Sequence, residues 1–193
     1  MPLLIVTCGP AGVGKTTQMQ NLINRDRRRF AAVLSVTTRQ RRNADDGEWY
    51  RFVDHETAKG FDPNDVISDI TYHDEQYVLL KSEIDKALAT APIAFMALVP
   101  DTILRLRTLG IPHAVINCKV GDEAGYDARL RKRGFDGDAI SKAKAEAASF
   151  AYPPADPAWP QADAMLGSDV KDAETFTEIV RGFAGNLFPQ SLQ

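Results

Sequence analysis

The stretch GPAGVGKTT, Gly9 to Thr17, decides how this chain folds. Glycine builds no core, yet Gly9, Gly12 and Gly14 crowd into six positions and are followed at once by Lys15, Thr16 and Thr17. The spacing satisfies G-x-x-x-x-G-K-[ST], in which bare backbone N–H groups converge on phosphate oxygens beside one fixed positive charge. The flanks supply the context this motif needs. The preceding run, LLIVTC from Leu3 to Cys8, is apolar and β-branched and predicts a buried strand. The following KTTQMQNLINR places Met19, Leu22 and Ile23 at helical spacing, so a helix is expected to begin near Lys15. A helix N-terminus adds a dipole that favours an anion at the same spot. Gly9, Ala11, Gly12, Val13, Gly14, Lys15, Thr16 and Thr17 are therefore the expected nucleotide-phosphate site, which by itself fits an ATPase, a GTPase or an ATP-dependent kinase. Lys15 would bridge the β- and γ-phosphates, and the Thr16 hydroxyl would ligate Mg²⁺.

Outward from the loop, apolar strand-like runs alternate with helical ones. FAAVLSVTTR reads as a second strand, WYRFVD as a third and DVISDITYHDEQYVLL as strand-like; PIAFMALVP and HAVINCKV follow. Helices are expected in HETAKGF, KSEIDKALATA, DTILRLRTLG, YDARLRKRG, AISKAKAEAASF and AETFTEIVRGFAGNLF. Strands alternating with helices predict an α/β fold of the P-loop NTPase type, a parallel sheet covered by helices. An antiparallel-looking patch from about residue 36 to 80 interrupts the rhythm and suggests a small inserted lobe. AYPPADPAWP, rich in proline, is expected to be an ordered loop.

The chain has 193 residues, 44% of them hydrophobic and 25% charged, which suits one soluble domain. The net charge of −3 provides no overall basic field, so nucleic acid is an unlikely partner despite the local RDRRRF and TTRQRR clusters. Cys8 and Cys118 lie in apolar stretches and read as buried thiols of a reducing compartment. No stretch reaches membrane-spanning length, and the first residues lack a signal peptide's basic start, so a cytoplasmic protein without a membrane partner is expected. His55, His73 and His113 have no metal-site spacing. Trp49 and Trp159 read as packing residues.

The segment after the second strand, SVTTRQRRNADDGEWYRFV from Ser35 to Val53, sets Arg39, Arg41 and Arg42 ahead of an aromatic pair. Guanidinium forks fit phosphate oxygens, so a second anion site opposite the first is expected. Here the chain resembles the guanylate kinase family of nucleoside monophosphate kinases, whose glycine loop is followed by S-x-T-T-R-x-P-R-x-G-E-x-x-G-x-x-Y-x-F-V. Thr37, Thr38, Arg39, Arg42, Gly47, Tyr50, Phe52 and Val53 match, with one position deleted in the turn and Arg41 in place of the proline. The likeness continues through DEQYVLLKSEIDKAL and ARLRKRG.

The resemblance implies that Arg39, Arg42, Tyr50 and Tyr77 hold an acceptor's phosphate, while Arg129 and Arg133 close over the ATP phosphates. Lys15, Arg39, Arg129 and Arg133 would then be the catalytic residues. It implies one guanylate-kinase-like domain over 1–193, with a core of 1–34 and 90–193, a monophosphate-binding lobe over about 35–89 and a lid over about 129–150. Where the family reads guanine through a glutamate, a serine and an aspartate, this chain has Ser68, Leu79 and Val99, with Asp69 and Asp74 nearby. A site built to hydrogen-bond its ligand loses discrimination when those groups go, so selectivity for plain GMP is expected to be relaxed toward a modified or pyrimidine nucleotide. Ala97 stands where the family has an acidic strand residue, and Asp101 is the substitute candidate for the Mg²⁺ site.

The expected function is transfer of the ATP γ-phosphate to a nucleoside or deoxynucleoside monophosphate. Two alternatives accompany it. One is a kinase for a phosphorylated sugar such as ribose 1,5-bisphosphate or for a modified base hydroxyl in DNA; the other is a non-catalytic guanylate-kinase-like binding module. Lys15 and Thr16 weigh against the module, which would have no use for them. The substrates expected are small nucleotides; the sequence carries no sign of oligomeric state.

Overall fold

A computed structural model describes residues 1–41, 44–72, 75–149, 162–167 and 173–185. Arg42, His73, Asp74, Trp159 and the AYPPADPAWP segment, expected to be an ordered loop, lie outside the described residues.

The apolar runs form a parallel sheet. Its strands are β1 (Leu3–Cys8), β2 (Phe30–Ala32), β7 (Ile93–Ala97), β8 (Ala114–Lys119) and β9 (Ala164–Gly167), in the order β2-β7-β1-β8-β9. β1 lies at the centre, with Thr7 beside Ala97 on one side and beside Ile116 on the other. Strands buried on both faces read as continuous apolar runs, and that is what the sequence carries.

Alternation along β1 sorts its side chains onto two cores. Ile5 joins Ile93, Phe95 and Ile116 under helices α1 (Lys15–Arg25) and α7 (Ala173–Ala184), where Met19, Leu22, Phe176 and Val180 are buried. Leu4, Val6 and Cys8 join Ala94, Met96 and Val115 on the other face, under α3 (Lys81–Thr90) and α4 (Pro100–Thr108), which contribute Ile84, Ile103 and Leu106. Thr7 is buried on the Ile5 side, its hydroxyl directed to the Met96 carbonyl at 3.3 Å and to the Met19 sulfur at 3.5 Å.

A second sheet, ordered β4-β3-β6-β5, is built from β3 (Ser35–Thr37), β4 (Tyr50–Phe52), β5 (Val66–Tyr72) and β6 (Glu75–Leu80). The run FAAVLSVTTR, which reads as one strand, is two. Val33 N–H donates to Phe95 O at 2.8 Å in the first sheet, and Ser35 N–H donates to Trp49 O at 3.0 Å in the second. No glycine, proline or turn residue separates the two halves, so the local pattern carries no mark of the change of sheet. The strand-like DVISDITYHDEQYVLL is the β5–β6 pair, antiparallel as expected, whereas β3 and β4 pair in parallel. A 3₁₀ turn over Ala44–Glu48 precedes β4, and α2 (His55–Lys59) follows it, capped by the Asp54 carboxylate accepting from Thr57 N–H at 2.7 Å. Helices α5 (Glu123–Lys132) and α6 (Gly137–Ser149) join through their own small cluster of Tyr126, Leu130, Ile140 and Ala143. No helix among the described residues is long and apolar enough to cross a membrane.

Candidate active site

The phosphate loop leaves the carboxyl end of β1 and enters α1 through Gly14, whose φ of 102° is left-handed and so demands glycine. Two of its glycines are also fixed by close approach. A Cβ on Gly9 would stand 2.1 Å from the Cys118 carbonyl oxygen, and one on Gly12 would stand 2.8 Å from a Leu130 methyl. Thr16 and Thr17 are exposed in the first turn of α1, and Val13 is buried in the core beneath. Lys15 bends over the loop: its Nζ donates to Gly9 O at 2.6 Å and to Pro10 O at 2.8 Å. Burial lowers the Lys15 ammonium from its ordinary value, and the nearby Arg133 charge adds to the effect, partly offset by Glu146.

The fifth helix rests on this loop. Tyr126 Oη donates to Ala11 O at 2.9 Å, and Arg129 Nε donates to Gly12 O at 3.1 Å. Leu130 packs over Gly12 from the same helix. Arg129 is thus at the cradle, half-buried; Arg133 is exposed at the C-terminal end of α5, within electrostatic reach of Lys15.

Arg39, Tyr50 and Tyr77 come together on the second sheet. Arg39 is buried, with its guanidinium 4.4 Å from the centre of the Tyr50 ring and 5.3 Å from that of Phe52. Tyr77 meets Tyr50 edge-on at 6.2 Å. The Arg39 Nη1 donates to the Asp46 carboxylate and to Gln40 O, both at 2.9 Å. Burial pulls the Arg39 guanidinium down, but the Asp46 hydrogen bond and charge outweigh it and hold the group above its ordinary value. Burial likewise raises the Tyr50 phenol, which stays a proton donor at neutral pH.

Ser68 and Leu79 face each other across β5–β6. Leu79 is buried in the core cluster with Ile67 and Met96, and Ser68 Oγ lies 3.2 Å from the buried Thr102 hydroxyl of α4. Asp69, one residue on, takes the opposite face, where Gln76 donates to both its oxygens at 2.9 and 2.8 Å. That face is not the one carrying Tyr77, so Asp69 is not among the groups gathered at the candidate base position.

Leu98 N–H donates to Thr7 O at 3.0 Å, so the end of β7 runs beside the strand entering the loop; Asp101 follows, exposed, in the first turn of α4. Among the described residues no cluster of three His, Cys, Asp or Glu side chains could hold a metal by itself. The Thr16 hydroxyl is a neutral hard oxygen, which fits Mg²⁺ when phosphates supply the charged ligands. Burial raises the Cys8 thiol to about 11 and Cys118 to about 12, so both stay protonated. A cavity of about 360 Å³ opens beside β2, between Gln20, Phe30, Glu48 and Glu83, and is lined by none of the phosphate-loop residues.

Three contributors are not marked in the sequence: Tyr126, Asp46 and the anchored Trp49. Tyr126 and Ala11 are 115 positions apart, and no periodicity connects them. Asp46 lies in a turn whose acidic pair, Asp45 and Asp46, gives no sign of which residue turns inward. Trp49, read as a packing residue, packs with Val13 and Met19 in the main core.

Comparison with known proteins places the chain in a family. Residues 1–152 match the sequence model of the guanylate kinase family. The guanylate kinase of Onion yellows phytoplasma (strain OY-M) is 35% identical over 150 residues, covering 75% of this chain and 70% of that protein. The guanylate kinase of Chlamydia felis (strain Fe/C-56) is 30% identical over 141 residues, covering 72% and 69%. The crystal structure of guanylate kinase from Anaplasma phagocytophilum shares the fold, with a TM-score of 0.58 at 14% identity over 98% of this chain and 88% of that one. The chain belongs to the guanylate kinase family of nucleoside monophosphate kinases.

Proposed function

We propose that this chain transfers the γ-phosphate of ATP to the phosphate of a nucleoside monophosphate, GMP among them, releasing ADP and the nucleoside diphosphate. One observation carries the reading: two separate anion grips, the glycine loop with Lys15 and the buried Arg39 beneath Tyr50 and Tyr77. In the reaction an acceptor phosphate oxygen attacks the γ-phosphorus in line, and the bond to the β,γ-bridging oxygen breaks. Little covalent help is needed, so positioning and charge neutralisation supply the catalysis.

Lys15 would leave the loop carbonyls for the β- and γ-phosphates. Arg39 would hold the acceptor phosphate with the phenols of Tyr50 and Tyr77, and with Arg42. Arg129 and Arg133 would offset charge on the transferred group from the lid side. Mg²⁺, held by Thr16 and the nucleotide's own oxygens, neutralises phosphate charge when bound. The names of the relatives support GMP as an acceptor. Ser68 with its hydroxyl partner Thr102, and Leu79 with none to offer, support weak selection among bases.

The test is ATP-dependent ADP release from the full chain with GMP, dGMP, CMP, dTMP, ribose 1,5-bisphosphate and a hydroxymethylated oligonucleotide. Turnover of GMP with other monophosphates close behind is expected. Turnover confined to the sugar or the oligonucleotide, or none at all, sinks the reading.

A further inference from the structure

Gln20 joins the phosphate-loop helix to the acceptor side of the molecule. Its Oε1 accepts the Trp49 indole N–H at 2.9 Å, and its Nε2 donates to Glu48 and to Asn24. Arg27 donates to Glu48 at 3.1 Å and to Asn24 at 3.0 Å. Gln20 and Asn24 are spaced i, i+4 and share one face of α1, and Arg27 follows just past the end of the helix. They make a polar seam into which the 3₁₀ turn Ala44–Glu48 and Trp49 settle.

The same turn holds Arg39 at its other side, through Asp46. Neighbours around β4 alternate. Trp49 points back to the core, and the partly exposed Arg51 pairs with the buried Glu83 of α3 at 3.1 Å. Tyr50 and Phe52 point forward to Arg39. Tyr50 is thus held by its two flanking residues, one tied to the helix that begins at Lys15.

We propose that Gln20 is a positioning residue for the acceptor site: through Trp49 and the Asp46 turn it sets Arg39 and Tyr50 at a fixed distance from the ATP cradle. The proposal rests on the kinase reading above. Gln20 touches neither phosphate grip, so its loss should disturb the acceptor while leaving ATP binding alone.

The test is steady-state kinetics of the full chain for wild type, Gln20→Ala, Gln20→Glu and the exchange Gln20→Glu/Glu48→Gln. Losing the indole and Glu48 hydrogen bonds should raise the acceptor KM about five- to tenfold, with the ATP KM within about twofold. Gln20→Glu sets two carboxylates against each other and should do no better. The exchange should restore the acceptor KM, because the carboxylate at position 20 accepts both the Trp49 indole and the new amide at position 48. The exposed Arg27 ion pair lost in the exchange matters little. An independent readout is the ¹⁵N-labelled Trp49 indole N–H, slow to exchange in wild type and in the exchange variant and fast in Gln20→Ala. An active wild type whose Gln20→Ala variant keeps its acceptor KM, or raises both KM values equally, overturns the proposal alone. A wild type that phosphorylates no monophosphate overturns the functional reading and this proposal with it.

Discussion

Tyr126 of the fifth helix donates its phenolic proton to the carbonyl of Ala11 in the phosphate loop, at 2.9 Å across 115 positions of sequence. The bond ties the helix that carries Arg129 to the loop that Arg129 also touches through Gly12. Tyr126→Phe keeps the ring and removes the tie. The expected result is an ATP KM raised a few-fold, with the acceptor KM unchanged and stability lower by about 1 kcal/mol. Thermal unfolding and kinetics in parallel check both halves; an acceptor KM that moves equally would count against a lid role.

Gly12→Ala should abolish ATP binding. Its φ of 81° is strained for a side chain, and the new Cβ would lie 2.8 Å from Leu130. Relief requires the fifth helix to move away, taking Tyr126 and Arg129 with it. Leu130→Ala in the same chain should recover part of the binding by opening space. Isothermal titration with a non-hydrolysable ATP analogue reads the outcome, and wild-type affinity in Gly12→Ala would refute the contact.

Lys15→Ala should leave no measurable transfer to any acceptor, since charge developing on the γ-phosphate loses its fixed partner. The pH dependence of the wild type carries a second sign. Burial disfavours the charged ammonium, so Lys15 gives up its proton at lower pH than an exposed lysine. The alkaline limb of kcat/KM for ATP should therefore begin below the ordinary lysine value of 10.5. The same shift means that the unfolded chain binds more protons here, so this group's contribution to stability rises with pH between the depressed and the ordinary value. A limb that persists unchanged in Lys15→Arg would assign it elsewhere.

Arg39→Ala removes the acceptor's cation and leaves Asp46 half-buried beside it without this partner. The acceptor KM should rise about ten- to a hundredfold, with the ATP KM nearly unchanged, as loss of a charge-assisted hydrogen bond implies. Stability should fall by roughly 3 kcal/mol, because breaking one side of a buried pair is worse than removing both. Arg39→Ala/Asp46→Asn should recover stability but not acceptor binding. Loss of both substrates together would contradict two separate grips.

On the proposed base-site reading, Ser68→Glu places a carboxylate where the resemblance sets a guanine-reading glutamate. It should raise the preference for GMP over CMP by about tenfold or more in kcat/KM, since a buried acceptor for base N–H groups discriminates strongly. An unchanged ratio would remove Ser68 from the base site.

The loop, the strand before it and the helix after it are legible in the sequence because all their determinants are local. Glycine spacing, one lysine and a run of β-branched residues suffice, and Gly14 at the head of α1 adopts the left-handed backbone that only glycine enters easily. Arg39, Tyr50 and Tyr77 are legible through the family segment. The split of FAAVLSVTTR is not, because hydrophobic pattern is the same whichever sheet the strand joins. Nor is the aim of Asp69: a shift of one residue in a strand turns a side chain to the other face, and register is settled by pairing partners far away in the chain.

By itself, then, the sequence determined the glycine loop with its flanking strand and helix, the alternation of strands and helices, and the segment that carries the proposed second anion grip. Tertiary structure decided which of them meet: Tyr126 on Ala11, Asp46 on Arg39, and Trp49 on Gln20. The physical reason is range. Propensity and spacing act over one or two turns of chain, whereas Tyr126 and Ala11 are 115 positions apart and Trp49 and Gln20 29; Asp46, seven positions from Arg39, meets it across a turn whose course the local pattern leaves open.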